Sequence, residues 1–187
     1  MDRTSDSSAS EKNRRKNRVF VCGAIDDRVA MKTNFRIAGL SLAQFKPLFS
    51  LDENELAQKG ARRLTVNAKP GFPCRVSLQD AEIGERVILV PFVHHDVQSP
   101  YRAFGPIFVR ETAKEVKLAP GEIPEVVRSR VLSVRAYDRD GMMADASVIA
   151  GADLKSCIET LFADPKISYF HLHNAGAGCY SCKVERV

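Results

Sequence analysis

The chain reads as an α+β protein: a mainly antiparallel β-sheet with one clear helix in its C-terminal half and a short helical segment near its N-terminus. Three observations predict this. Short strand-like runs bounded by Gly and Pro turn signals fill the middle of the chain. Asp153 to Phe162 repeats apolar residues at helical spacing. Ser41 stands before Leu42-Ala-Gln-Phe-Lys-Pro-Leu-Phe49, in the position of an N-cap.

Met1 to Arg18 is Ser-, Asp-, Asn-, Lys- and Arg-rich and lacks apolar periodicity, which predicts disorder. Residues 1–30 hold seven Lys/Arg against five Asp/Glu, and the remainder is nearly balanced at 21 against 18. The basic run Lys12, Arg14, Arg15, Lys16, Arg18 has no interleaved aromatic residues. It predicts a solvated tail rather than a stacking surface for nucleic acid. Patterning begins near Met31, which is an alternative start. The expected organisation is a tail over 1–30 and one domain over 31–187.

In Leu42–Phe49, Leu42, Phe45 and Phe49 share a helical face, and Pro47 shortens the helix unless it lies in a first turn. Asp52 to Gln58 predicts a second short helix ended by Gly60. Leu64–Val66 and Cys74–Leu78 are predicted strands around the turn Lys69-Pro-Gly-Phe-Pro73. Arg86 to Val93 is apolar on both faces, as a buried strand would be, with Pro91 pushing its end toward an edge or a bulge. Gly105 to Arg110 is a further strand, and Pro120 to Pro124 an irregular connection. Arg130 to Asp138 alternates: Leu132, Val134 and Ala136 take the core face, Ser133, Arg135 and Tyr137 the other. Arg139-Asp-Gly141 is a hairpin-type turn. In Asp153–Phe162, Asp153 is the expected cap, Asp164-Pro165 the stop, and Cys157 a buried core thiol.

The 44% apolar and 27% charged composition is that of a soluble protein. No apolar run approaches the roughly 18 residues that span a bilayer. Five widely spaced cysteines, an odd number, predict reduced thiols and a cytoplasmic location.

The densest chemistry lies in Tyr169-Phe-His-Leu-His-Asn-Ala-Gly-Ala-Gly-Cys-Tyr-Ser-Cys182. Ile167 to His173 reads as a strand with Tyr169, His171 and His173 on one face, Phe170 and Leu172 on the other. A five-residue turn over Asn174 to Gly178 would set Cys179 opposite His173 and Ser181 opposite His171. Cys182 would then face the core, which argues against a Cys-x-x-Cys zinc knuckle. His171, His173 and Cys179 are thus the candidate site. With Cys74 as a fourth ligand they make a closed zinc site, and with water instead a Lewis-acid site. Without a metal, Cys179, or Cys74 beside Arg75, is a candidate nucleophile. Of His94 and His95, at most one can join a given cluster, because neighbours on a strand point opposite ways; Asp96 would orient one ring. The alternative is a non-catalytic domain holding a small anion or a partner on an arginine-lined face. Its candidate residues are Arg75, Arg102, Arg135, Tyr137 and Asn174. An enzyme and a binding domain both remain open at this point.

Several segments together resemble a bacterial family called domain of unknown function 1203. They are Gly71-Phe-Pro-Cys-Arg75, Asp80-Ala-Glu-Ile-Gly-Glu85, Pro100-Tyr-Arg102, Ile107-Phe-Val-Arg-Glu111, Arg135-Ala-Tyr-Asp138, His171-Leu-His-Asn-Ala175 and Gly178-Cys-Tyr180. The resemblance spans roughly residues 33–187. It implies a shared fold unit without naming a reaction, and it implies that Cys74 and Cys179 are typical positions whereas Cys182 is not.

Overall fold

A computed structural model describes residues 35–187. The expectations for the tail, its basic run and Met31 lie outside the described residues. In chain order the elements are β1 (Phe35–Ala38), α1 (Lys46–Phe49), α2 (Glu53–Gln58), β2 (Arg62–Thr65), β3 (Arg86–His95), β4 (Ala103–Arg110), α3 (Glu125–Arg128), β5 (Val131–Tyr137), β6 (Met143–Ala150), α4 (Leu154–Phe162), β7 (Tyr169–Asn174) and β8 (Tyr180–Arg186). The strands form two antiparallel sheets, one ordered β1-β8-β7-β5-β6, the other β2-β3-β4. This is the α+β architecture that the patterning predicts.

One face of the larger sheet is apolar along β1, β8, β7 and β5, with Asp145 and Ser147 of the edge strand β6 at its margin. Leu132, Val134 and Ala136 from β5, Phe170 and Leu172 from β7, and Cys182 and Val184 from β8 are all buried there. Helix α4 covers them with Leu154, Ile158 and Phe162. Burying a side chain of this size stabilises by about 1.5–3 kcal/mol. Cys157 departs from expectation: it is only half-buried, packed at the margin of this core with its Sγ 3.9 Å from Ser147 Oγ. Asp153 precedes α4 in a 3-10 turn (Gly151–Asp153), and its side chain makes no cap hydrogen bond.

The smaller sheet buries Ile88, Val90, Ile107 and Val109 against Phe45 and Leu56. Pro47 sits in the first turn of α1, after a separate 3-10 turn (Leu42–Gln44). Ser41 donates to Glu115 rather than capping. Asp52 and Glu55 form a reciprocal capping box on α2, and Gly60 takes φ +66° just beyond its end. Pro91 pairs with Pro106 beyond the reach of β2, so no ladder needs its missing N–H.

Cys74–Leu78 is not a strand. It makes single bridges at Pro73 and Cys74, accepts isolated backbone bonds from Leu40 and Val116, and closes as a turn in which Leu78 N–H donates to Cys74 O and Leu78 adopts φ +49°. Strand β6 and helix α3 have no counterpart in the sequence reading.

Candidate functional site

The second face of β7 carries Tyr169, His171 and His173, as its period of two requires. His171 and His173 are nonetheless buried, because the end of β3 lies across them. His94 is in phase with Ile88, Val90 and Phe92 on the inward face of β3. The β3–β4 ladder then slips between Val93 and His95, leaving one extra residue on β3. Such a bulge re-aims a side chain, and both rings come to the larger sheet. His94 lies 5.9 Å from His171 and 5.1 Å from His173, centre to centre, and His95 lies 4.9 Å from His171. The two rings therefore do not part to opposite sides, yet only His94 brings a ring nitrogen into one group with those of His171 and His173.

The two neighbours differ in what their nitrogens do. His95 Nδ1 meets Tyr101 O at 2.7 Å and Nε2 meets Tyr169 Oη at 2.8 Å. The carbonyl can only accept, so His95 is an Nδ1–H tautomer, fully satisfied. His94 instead brings an Nδ1 without a hydrogen-bond partner to the two strand histidines. His171 Nδ1 and His173 Nε2 are likewise buried and unpartnered. One ring nitrogen from each of His94, His171 and His173 lies within 4.8 Å of the others. His173 Nδ1 donates to Gly178 O at 2.9 Å, which fixes the ring and leaves Nε2 with its bare lone pair. Burial, first among the causes, lowers the pKa of His94 and His173 to about 4 and of His171 to about 2. All three are therefore neutral at pH 7, the form that can bind a metal ion. A cleft of about 270 Å³ reaches His94 and His171, with Leu40, Phe92 and Lys183 among its walls.

The β7–β8 register differs from expectation. His173 pairs with Tyr180 and His171 with Lys183, with a bulge between. The turn closes through Asn174 N–H to Cys179 O and Gly178 N–H to Asn174 O. Tyr180, not Cys179, thus lies against the histidines, and its ring stacks on His94. Cys179 is half-buried in the turn, its Sγ 3.8 Å from Ala177 O, outside the three-nitrogen group. Cys74 is also outside it: its buried Sγ receives the backbone N–H groups of Ser77 and Arg110 at 3.5 and 3.4 Å. Cys182 faces the core opposite Leu172, and burial pushes its thiol up to about 12.

The candidate anion-binding residues separate. Arg102 is exposed and pairs with Asp96 at 2.9 Å, so Asp96 does not orient an imidazole. Arg75 is buried and donates to Tyr180 O at 2.7 Å and to Pro73 O. Burial lowers its pKa, and nearby thiols oppose that shift. Arg135 is opposite His171 across the β5–β7 ladder. Tyr137 is buried against His95, ring centres 4.1 Å apart. Asn174 ends β7 with a buried Oδ1 that has no hydrogen-bond partner among the described residues.

His94 is the member that the sequence reading left undecided, allowing one of His94 and His95 to join without choosing between them. The signal was present: the alternation Ile88, Val90, Phe92, His94 extends the buried face of β3 by one step.

Among the described residues no helix is long and apolar enough to cross a membrane. Neither the curated proteins nor the solved structures contain a match to the chain. The family model described as "Protein of unknown function (DUF1203)" matches residues 71–186, a shorter stretch than the motifs suggest but well over half of the chain, and the protein belongs to that family.

Proposed function

We propose that the protein is a metalloprotein that holds a divalent transition ion, zinc first among them, between His94, His171 and His173. The observation that carries this reading is His173, whose Nδ1 is committed to Gly178 O and whose Nε2 is buried without a partner, in a group where one ring nitrogen from each of His94, His171 and His173 lies within 4.8 Å of the others. Burying three ring nitrogens without partners costs free energy, and a shared cation bound by their neutral tautomers offsets it. Imidazole suits zinc, copper, nickel and iron. Tetrahedral zinc with bonds of about 2.0–2.1 Å separates its nitrogens by about 3.3–3.4 Å. The three rings would have to close by at most about 1.5 Å.

Three protein nitrogens and an open fourth position characterise catalytic rather than structural zinc. The cleft over His94 and His171 gives that position access to solvent. Zinc in such a site supplies a Lewis acid and a water with pKa near 7. This supports a hydrolytic reaction class. The chain's own part is to keep the three rings neutral, buried and oriented.

The test uses full-length protein without a histidine tag. About one zinc per chain is expected. At 100 times its dissociation constant the ion adds about 2.7 kcal/mol of stability. That raises Tm by roughly 5–10 °C. His94→Ala, His171→Ala and His173→Ala each abolish both effects. Wild-type protein that takes up no zinc and gains no Tm would refute the reading.

A further inference from the structure

We infer that the site takes an oxyanion ligand, a carboxylate or a phosphate, held between the metal position and the guanidinium of Arg135. The inference rests on the metal reading above. Arg135 stands directly opposite His171 on the neighbouring strand of the same sheet. Its Nε lies 3.5 Å from the hydroxyl of Ser133, and Ser133 stands opposite His173. The side chain is thereby drawn along β5 from the level of one histidine to that of the next.

Arg135 differs from the other described arginines in combining partial burial with the lack of both a carboxylate and a carbonyl partner: Arg36, Arg62 and Arg139 are exposed, and Arg75 and Arg186 donate to backbone carbonyls. Arg63, Arg86, Arg102, Arg110, Arg128 and Arg130 each have a carboxylate partner. Among the described residues Arg135 has none, and its polar contacts are the hydroxyls of Ser133 and Tyr137. A half-buried guanidinium with only hydroxyl contacts has lost part of its hydration without gaining a counter-charge. Asp96, the acidic residue of the cleft, does not serve as its counter-charge, being tied to Arg102. No acidic group belongs to the three-nitrogen cluster. Arg135 faces the same side of the sheet as His171, its partner across the ladder. Its unpaired charge makes the local field positive, and a metal ion would make it more so. An anion is the ligand that such a field selects. The planar fork of arginine matches two oxygens of a phosphate, whose third can reach the open metal position; a carboxylate would give one oxygen to Arg135 and the other to the metal.

The experiment titrates zinc-loaded full-length protein by calorimetry with sodium phosphate and, separately, sodium acetate. Zinc uptake is measured for every variant. Wild type should bind at least one of the two anions, and the tighter arm names the oxyanion. Arg135→Gln should keep its zinc and weaken anion binding roughly tenfold or more. Arg135→Lys should recover part of that loss. Zinc-loaded wild type that binds neither anion, or Arg135→Gln that binds as tightly as wild type, overturns this inference and leaves the metal reading intact. Failure of wild type to take up zinc overturns both.

Discussion

The rings of His94 and Tyr180 lie parallel, 4.9 Å between centres with 5° between their planes, although one belongs to β3 and the other to β8. Tyr180 also pairs with His173 across the β7–β8 ladder. One buried aromatic side chain therefore fixes the rotamer of one proposed ligand and flanks another. Tyr180→Phe keeps the stack and should bind zinc within about threefold of wild type. Tyr180→Ala should lower metal affinity by roughly 10–100-fold. It should also cost about 3–5 kcal/mol of stability by denaturant unfolding. A Tyr180→Ala protein with wild-type zinc affinity would show that the stack does not orient His94.

Cysteine substitutions should rank by burial. Cys182→Ser places a hydroxyl in the core beside Leu172 and should cost about 1–3 kcal/mol. Cys157→Ser should cost less, because the residue is half-buried with Ser147 nearby. Equal losses in urea unfolding would contradict this ordering.

Gly141 ends the turn between β5 and β6 at φ +75°, and a Cβ there would stand 2.9 Å from side-chain carbons of Val97. Its carbonyl also accepts from Ser99 Oγ at 2.9 Å. Gly141→Ala combines left-handed strain with a steric clash. It should destabilise by about 1–3 kcal/mol. A neutral effect on Tm would mean that the turn relaxes away from Val97.

Glu85 receives Arg110 Nη2 and Thr112 Oγ1, each at 2.7 Å, and the arginine hydrogen bond leads in holding its pKa at about 2, against 4.5 for an ordinary carboxyl. Its folded pKa is depressed, so its stabilising contribution is complete above pH 4.5 and is lost as pH falls toward 2. Wild type should exceed Glu85→Gln in stability by about 1–3 kcal/mol at neutral pH, allowing for partial solvent screening. The gap should close in acid. A gap that is constant from pH 7 to pH 2.5 would exclude this linkage.

The faces of β5 and β7 were legible because period-two burial is a local rule: Leu132, Val134, Phe170 and Leu172 fill the core as their alternation requires. So was α4, whose stripe of Leu154, Ile158 and Phe162 needs no tertiary information. The site was legible only in part. His171 and His173 were placed on one face, but their third companion was assigned to Cys179. That error follows from the turn: Asn174 N–H bonds to Cys179 O, so the loop is one residue shorter than the five expected and Tyr180 falls opposite His173; the bulge beyond it then sets His171 opposite Lys183. The β3 bulge had the same effect on His95. A bulge is set by pairing across a ladder, and no single strand announces it. Strand β6, an edge strand with its alternate residues exposed, is dominated by Ala, Asp and Ser and has too little apolar contrast to stand out. Cys74–Leu78 has strand-like composition, but its backbone bonds go to its own turn, to single bridges and to the separate segments at Leu40 and Val116 rather than to one continuous ladder.

Because His94 arrives on the smaller sheet and His171 with His173 on the larger, an ion among them would act as a rivet between two halves that must first find each other. Such a rivet cannot form on a partly folded chain in which only one sheet exists. It would therefore do little for the rate at which the chain folds and much for the lifetime of the folded state, by slowing the parting of the sheets. Stopped-flow refolding would be indifferent to zinc, while unfolding in denaturant would slow as zinc is added.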